Sequence, residues 1–192
     1  SRAQWAHRLR DGQVHKEDMT IYQIIDVGLK FNGDRPNGGE QKRIDAIVIH
    51  HAAGNGSVED IHKLHLANGW WGIGYHYYIR KDGTIYRGRP EKFVGSHAGS
   101  NNDYNSHSIG ICFEGNFEVE TPTEAQINAG RWLVSDIKSR YEIKEILGHK
   151  DLTATACPGK NFDIGKLLYQ IKWTVCIGTY DTKAEAIAVA GA

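Results

Sequence analysis

Asp45-Ala46-Ile47-Val48-Ile49-His50-His51-Ala52-Ala53-Gly54 is the stretch on which the fold turns. Asp45-Ala46-Ile47-Val48-Ile49 is apolar and β-branched after its first residue, the pattern of a short strand buried on both faces. It ends in paired histidines. A histidine at the C-terminal end of a buried strand is rigidly held and faces the rim of the sheet, where a site can be built accurately. Neighbouring side chains on a strand point to opposite faces, so one of His50 and His51 should face such a site; alternation does not say which.

Downstream, Ser57-Val58-Glu59-Asp60 predicts a helix start, with Ser57 as cap and an acid three residues on. Ile61, Leu64 and Leu66 feed that helix, which stops near Asn68-Gly69. A strand is expected over Tyr75 to Arg80, and Lys81-Asp82-Gly83-Thr84 is a hairpin turn whose partner is Ile85 to Arg89. Gly95 to His107 is a polar loop and Ser108 to Phe113 another buried strand. A second helix is expected to open at Thr121-Pro122-Thr123-Glu124, with Thr121 as cap, Pro122 at the first helical position and Glu124 completing a capping box. Ala125, Ala129, Trp132, Leu133 and Ile137 have the spacing of its buried face, and Glu145-Ile146-Leu147 is a short strand leading to His149. Strands alternating with helices around one hairpin imply an α/β fold, a central mixed β-sheet flanked by helices.

The third informative histidine lies in Gly148-His149-Lys150-Asp151-Leu152-Thr153-Ala154-Thr155-Ala156-Cys157-Pro158-Gly159. An imidazole and a thiolate joined by a loop can reach one ion, and this borderline-soft pair suits Zn²⁺. Two ligands are too few. A catalytic zinc uses three protein ligands and leaves the fourth position to water, so a further donor must come from elsewhere, and the strand-end histidines are the best candidates.

Composition narrows the classes. The 192 residues allow one sizeable domain plus an appendage, and 23 basic against 23 acidic residues give no bulk attraction to nucleic acid or membrane. No run of about 18 apolar residues exists for a transmembrane helix. The three cysteines, Cys112, Cys157 and Cys176, do not make a disulfide framework, and Cys112 reads as a buried thiol. No basic–apolar–small pattern of a signal peptide opens the chain. Residues 1–18 are polar and Met19 is the only methionine, so 1–18 is expected to be a leader, the alternative being an ordinary N-terminal arm. The catalytic domain is expected over 19–170. Beyond it, Trp173 to Tyr180 reads as a strand and Thr182 to Ala190 as a small-residue helix; this extension is either the start of a truncated wall-binding module or a terminal helix on the main domain.

Four segments in order, Ile47-Val48-Ile49-His50-His51-Ala52-Ala53, Gly72-Ile73-Gly74-Tyr75-His76-Tyr77, Ser108-Ile109-Gly110-Ile111 and Gly148-His149 through Cys157-Pro158-Gly159, resemble the type 2 zinc-dependent N-acetylmuramoyl-L-alanine amidases. That family includes the T7-type phage lysozymes and is similar to the peptidoglycan recognition proteins. The resemblance covers roughly 44–165, and four motifs in order carry far more weight than any one. It implies the amidase fold and a Zn²⁺ held by His50, His149 and Cys157, the first histidine of the pair being the ligand. It implies hydrolysis of the amide joining N-acetylmuramic acid to L-alanine in bacterial peptidoglycan. It also implies Tyr75 beside the metal-bound water as the main catalytic side chain.

Thr155 is the second catalytic candidate. T7-type enzymes carry lysine at the matching position and several recognition-protein amidases carry threonine; a hydroxyl supplies a hydrogen bond but no positive charge. Cys112 stands where an intracellular branch carries glutamate, and Glu114 two residues on shares its strand face. For substrate contacts the resemblance points to His97, with His51, Trp71, Asn105 and Glu114 as further candidates. Asn105 and Ser108 are also expected to tie the polar loop to the strand. Ordinary structural roles are the alternative throughout, and are preferred for His62, His65, His76 and His107. Trp70 and Trp71 are core caps or groove walls.

A non-catalytic peptidoglycan-binding protein of the same fold is the main functional alternative; the presence of Cys157 favours the enzyme. A structural zinc module would need four protein ligands, commonly in paired cysteines, and no such pair exists. The expected setting is a phage or prophage endolysin, made in the cytoplasm, monomeric and acting on the wall, with a secreted autolysin as alternative.

Overall fold

The computed structural model describes residues 22–168 apart from 101, and the backbone of 173–175 and 178–180. The expected leader, most of the carboxy-terminal extension and Cys176 lie outside the described residues.

The apolar run forms strand β2 (Ala46–His51), every residue of it buried. It lies between two parallel neighbours, β5 (Ser108–Phe113) and β6 (Glu145–Gly148). Beyond β5 the sheet continues through β3 (Tyr77–Ile79) and β4 (Ile85–Arg87) to a two-residue edge strand, β1 (Ile24–Ile25), giving the order β1-β4-β3-β5-β2-β6. Among the strands of this sheet only β3 and β4 pair antiparallel. Their turn closes with Gly83 at φ +85°, Gly83 N–H donating to the Arg80 carbonyl and Thr84 N–H to Asp82 Oδ1. The mixed sheet expected from the sequence is therefore present.

Helices cover both faces. Ile47, Ile49, Tyr77, Ile79, Ile109, Ile111 and Phe113 pack with Leu133, Val134 and Ile137 of the long helix α2 (Glu124–Arg140). On the other face Tyr78 and Cys112 pack with Val58 of the short helix α1 (Val58–Ala67). Strand alternation thus places His50 and Cys112, register partners, on the α1 side.

Ser57 caps α1 as expected, its hydroxyl accepting from Asp60 N–H and the Asp60 carboxylate accepting from Ser57 N–H. The buried face of α1 differs from the expected one: Val58, His62 and His65 point inward while Leu64 is 56% exposed. The cap of α2 also differs. Thr123, not Thr121, caps the helix, and its capping-box partner is Gln126 rather than Glu124. Gln126 wins because its amide also donates to the Glu114 and Ile79 carbonyls, binding the helix start to the ends of β5 and β3. In the extension, the single strand expected over Trp173 to Tyr180 is instead an antiparallel pair, β7 (Trp173–Val175) and β8 (Gly178–Tyr180).

Candidate metal centre

The C-terminal ends of β2 and β6 deliver two imidazoles to one place. His50 is the penultimate residue of β2, and His149 follows Gly148, the register partner of Ile49. Cys157 arrives from the loop after His149, its backbone carbonyl accepting from Lys150 N–H at 2.7 Å. Donor atoms of His50, His149 and Cys157 all lie within 4.8 Å of one another. His50 Nδ1 is 3.7 Å from Cys157 Sγ, and the two histidine rings are 4.7 Å apart centre to centre. A tetrahedral ion with bonds of about 2.0–2.3 Å needs donors roughly 3.3–3.8 Å apart; the His50–Cys157 pair stands at that spacing, and all three donors lie within 4.8 Å.

The chemistry of the donors also fits a metal. His149 Nε2 is buried with no hydrogen-bond partner, while the ring donates to the Ala98 carbonyl through its other nitrogen. His50 is fully buried, its Nε2 3.0 Å from His97 Nδ1, which leaves Nδ1 free on the cysteine side. Burial, then the neighbouring histidines, keep His50 well below the usual imidazole range, and burial lowers His149 too. Both rings are neutral at pH 7, the form that binds metal. Burial pushes the Cys157 thiol up to about 11, partly offset by the His51 backbone N–H, which donates to Sγ at 3.4 Å. A divalent cation is the charge that would make the thiolate favourable here.

His51 points the other way. Its Nδ1 accepts from Phe117 N–H at 3.1 Å, so the ring fixes the loop after β5 and stays outside the donor cluster.

Tyr75 lies just before β3. Gly74 allows this approach: a Cβ there would collide with the Ser96 carbonyl oxygen. The Tyr75 ring is 5.1 Å from His50 and 5.6 Å from His65. Burial, reinforced by Cys112 and Cys157, holds its phenol well above the usual range, and the hydroxyl donates to the Cys112 thiol. It is a permanent donor at neutral pH. Thr155 is exposed; its Oγ1 accepts from Cys157 N–H at 3.3 Å, so its own proton remains free to donate.

The other sequence candidates are placed as follows. His97 is 5% exposed and held against His50. Asn105 is the expected loop tie: Oδ1 accepts from His97 and Ala98 N–H, and Nδ2 donates to the Gly99 carbonyl. Ser108 donates to the Tyr104 carbonyl. Trp71 donates to the Gly33 carbonyl and stacks on Phe31 at 4.2 Å, away from the donor cluster. Glu114 accepts from Arg80 Nε at 2.6 Å and Lys81 N–H at 2.9 Å, a structural tie outside the cluster.

Two residues near the site, His65 and Arg89, carry more than the sequence shows. His65 lies between Tyr75 and Trp70, whose ring is 4.5 Å away and 41% exposed. The helical spacing of Val58, His62 and His65 could have exposed this face. Arg89, 1% exposed and without a carboxylate partner among the described residues, donates to the carbonyls of Gly72, Ile73 and Val94 and to Ser96 Oγ. It lies beneath Trp71, 5.4 Å from the ring centre, and ties the bend before Tyr75 to the loop before His97. No pattern in the sequence marks that arginine as buried.

Comparison with known proteins gives a consistent result. The family described as N-acetylmuramoyl-L-alanine amidase matches residues 40–160. The endolysin of Escherichia phage T7 is 34% identical over 134 residues, 65% of this chain and 85% of the relative. Peptidoglycan-recognition protein SC2 of Drosophila melanogaster is 40% identical over 127 residues, 59% of this chain and 67% of the relative. Among solved structures, the N-acetylmuramoyl-L-alanine amidase LysC from Clostridium intestinale URNW superposes with a TM-score of 0.69 at 38% identity, covering 77% of this chain and 95% of that one. Bumblebee PGRP-SA gives 0.66 at 29% identity, covering 76% and 93%.

Proposed function

The chain belongs to the N-acetylmuramoyl-L-alanine amidase family, and we propose that it cleaves the amide between N-acetylmuramic acid and L-alanine of bacterial peptidoglycan at a Zn²⁺ centre. His50 Nδ1, His149 Nε2 and Cys157 Sγ would hold the ion. When bound, the ion supplies a Lewis acid that polarises the amide carbonyl and makes hydroxide available near neutral pH.

The residues of the chain do the rest. The Tyr75 hydroxyl, a donor held protonated by burial, is offered to the amide oxygen as it becomes negative. A developing oxyanion is a far better acceptor than the neutral Cys112 thiol that receives this proton at rest. Thr155 Oγ1 orients the Cys157 backbone and can donate a second hydrogen bond to substrate. Exposed Trp70, packed on His65, offers an apolar wall beside Tyr75. His97, His51, Asn105, Trp71 and Glu114 serve the groove through the loops they fix.

The observation that carries this reading is the convergence of three neutral, metal-competent donors from separate segments within 4.8 Å. A protein that only bound peptidoglycan would have no need of such a cluster, which favours catalysis over recognition alone. All three donors come from one chain, which supports action as a monomer. The likeness to phage endolysins supports synthesis in the host cytoplasm and action on the wall. Digestion of purified peptidoglycan followed by mass spectrometry tests the reading. Intact stem peptides with a free L-alanine amine are expected, and their release should stop with chelator and return with zinc. Cleavage only at a sugar–sugar or peptide–peptide bond would refute it.

A further inference from the structure

We infer that His97 is a positioning residue of the metal centre: its imidazole holds His50 in the tautomer and orientation that aim Nδ1 at the ion, inside a socket kept open by Gly95 and Gly110. The inference rests on the zinc reading above.

The tautomers follow from the contacts. For His50 Nδ1 to offer a lone pair beside Cys157 Sγ, its proton must sit on Nε2. Nε2 then donates across 3.0 Å to His97 Nδ1, which accepts, and the His97 proton is placed on Nε2. A ring that rotated by half a turn would present the carbon Cδ2 to the ion and Cε1 to His97. Metal-binding histidines are commonly fixed in this way by a partner at the other nitrogen. Here the partner is a neutral imidazole, with no carboxylate in the chain of contacts.

The socket explains why His97 cannot turn away. A Cβ at Gly110 would stand 2.6 Å from His97 Cδ2 and 2.9 Å from Nδ1, and one at Gly95 would stand 2.5 Å from Cδ2 and 2.7 Å from Nε2. The His76 ring closes the space edge-on at 5.5 Å. Asn105 Oδ1 accepts from the backbone N–H of both His97 and Ala98. Consecutive residues of one loop thus hold the two metal-binding imidazoles. The His97 side chain takes His50, and the Ala98 carbonyl takes His149. His97 is 5% exposed, with Nδ1 engaged and Nε2 buried without a hydrogen-bond partner, so the ring turns no accessible atom towards a substrate.

The test measures zinc affinity of the full chain by competition with a chromophoric chelator, beside thermal melting of the metal-free protein. His97→Ala should weaken zinc binding by about 10–100-fold, the usual loss for an outer-shell partner. His97→Asn keeps an acceptor oxygen where Nδ1 stood and should recover most of that loss. Gly110→Ala should weaken binding in the parent chain, by pushing the ring aside, and add nothing in a His97→Ala background, where the socket is empty. Unchanged affinity in His97→Ala, or an Asn variant as weak as the Ala variant, overturns the proposal. In particular, unchanged zinc affinity with a raised KM for muropeptides would make His97 a groove residue. Cys157→Ser separates the two levels. If it too binds zinc normally the metal reading itself fails, whereas its loss of zinc beside an unaffected His97→Ala sinks the positioning role alone.

Discussion

Replacing Tyr75 by phenylalanine separates catalysis from packing. The ring lies against His50 and His65 at 5.1 and 5.6 Å and loses none of those contacts on removal of one oxygen. What the folded enzyme loses is one hydrogen bond to a fully buried neutral thiol, Cys112, worth about 0.5–1.5 kcal/mol. Melting temperature should therefore fall by only a few degrees, and zinc content should stay full because the three donors are His50, His149 and Cys157 and the hydroxyl is not among them. In the transition state the loss is larger, since the acceptor there carries charge. Removal of one oxyanion donor costs about 2.7–4 kcal/mol, which lowers kcat roughly 10²–10³-fold. The assay is turnover of a soluble muropeptide, with liberated L-alanine amine quantified and zinc measured on the same sample. Glu114→Gln is the control, because Glu114 is tied to Arg80 and Lys81 and should matter for stability rather than turnover. Near-normal kcat in Tyr75→Phe, with activity abolished in a zinc-loaded Glu114→Gln enzyme, would move the proton chemistry to Glu114 and refute the role argued for Tyr75.

Thr155→Ala should lower kcat by about tenfold, the value of one neutral hydrogen bond, and loosen zinc slightly because Cys157 N–H loses its acceptor. His51→Ala should keep its zinc while His50→Ala loses it; elemental analysis showing the reverse would exchange their roles. Acidification should destabilise the fold through His76, which burial pushes down to about 4. The unfolded chain takes up this proton below about pH 6.5 and the folded chain only near 4, so stability falls as pH drops through that window, by about 3 kcal/mol in all. Denaturant melts of metal-free Cys157→Ser protein at pH 7 and 4.5 should show the fall. It should shrink when His76→Gln is added, since that residue can still serve Gly110 N–H and the Phe93 carbonyl.

Much of the architecture was legible because burial wrote it into local pattern. Ala46–His51 and Ser108–Phe113 are short apolar runs bounded by polar residues, and both are strands at the expected positions. The Asp-Gly turn and the Ser57 cap are local chemistry and form as their sequences require. The start of α2 was misplaced by two residues for a tertiary reason: Gln126 is chosen by carbonyls of Glu114 and Ile79 that lie far off in sequence. Edge strand β1 is two residues long and carries no periodicity to read. Alternation restricted the site to one of two adjacent histidines, and only the resemblance chose between them. The placement of His97 was likewise beyond reach, because a histidine in a polar loop looks exposed until the two glycines that admit its ring are brought beside it.

Arg89 gives the loops beside the donor cluster their mechanical character. With four donor contacts on two loops and no acid to follow among the described residues, the guanidinium leaves neither loop free to swing alone, because either movement would strand a buried cation. The wall bearing Tyr75 and His97 is therefore set before substrate arrives. A cross-linked polymer cannot be swallowed by a closing pocket, and an enzyme that works on one must meet it as a surface. Here the ordering of the face beside the donor cluster is completed during folding, so each encounter with the wall begins from that arrangement instead of having to assemble it.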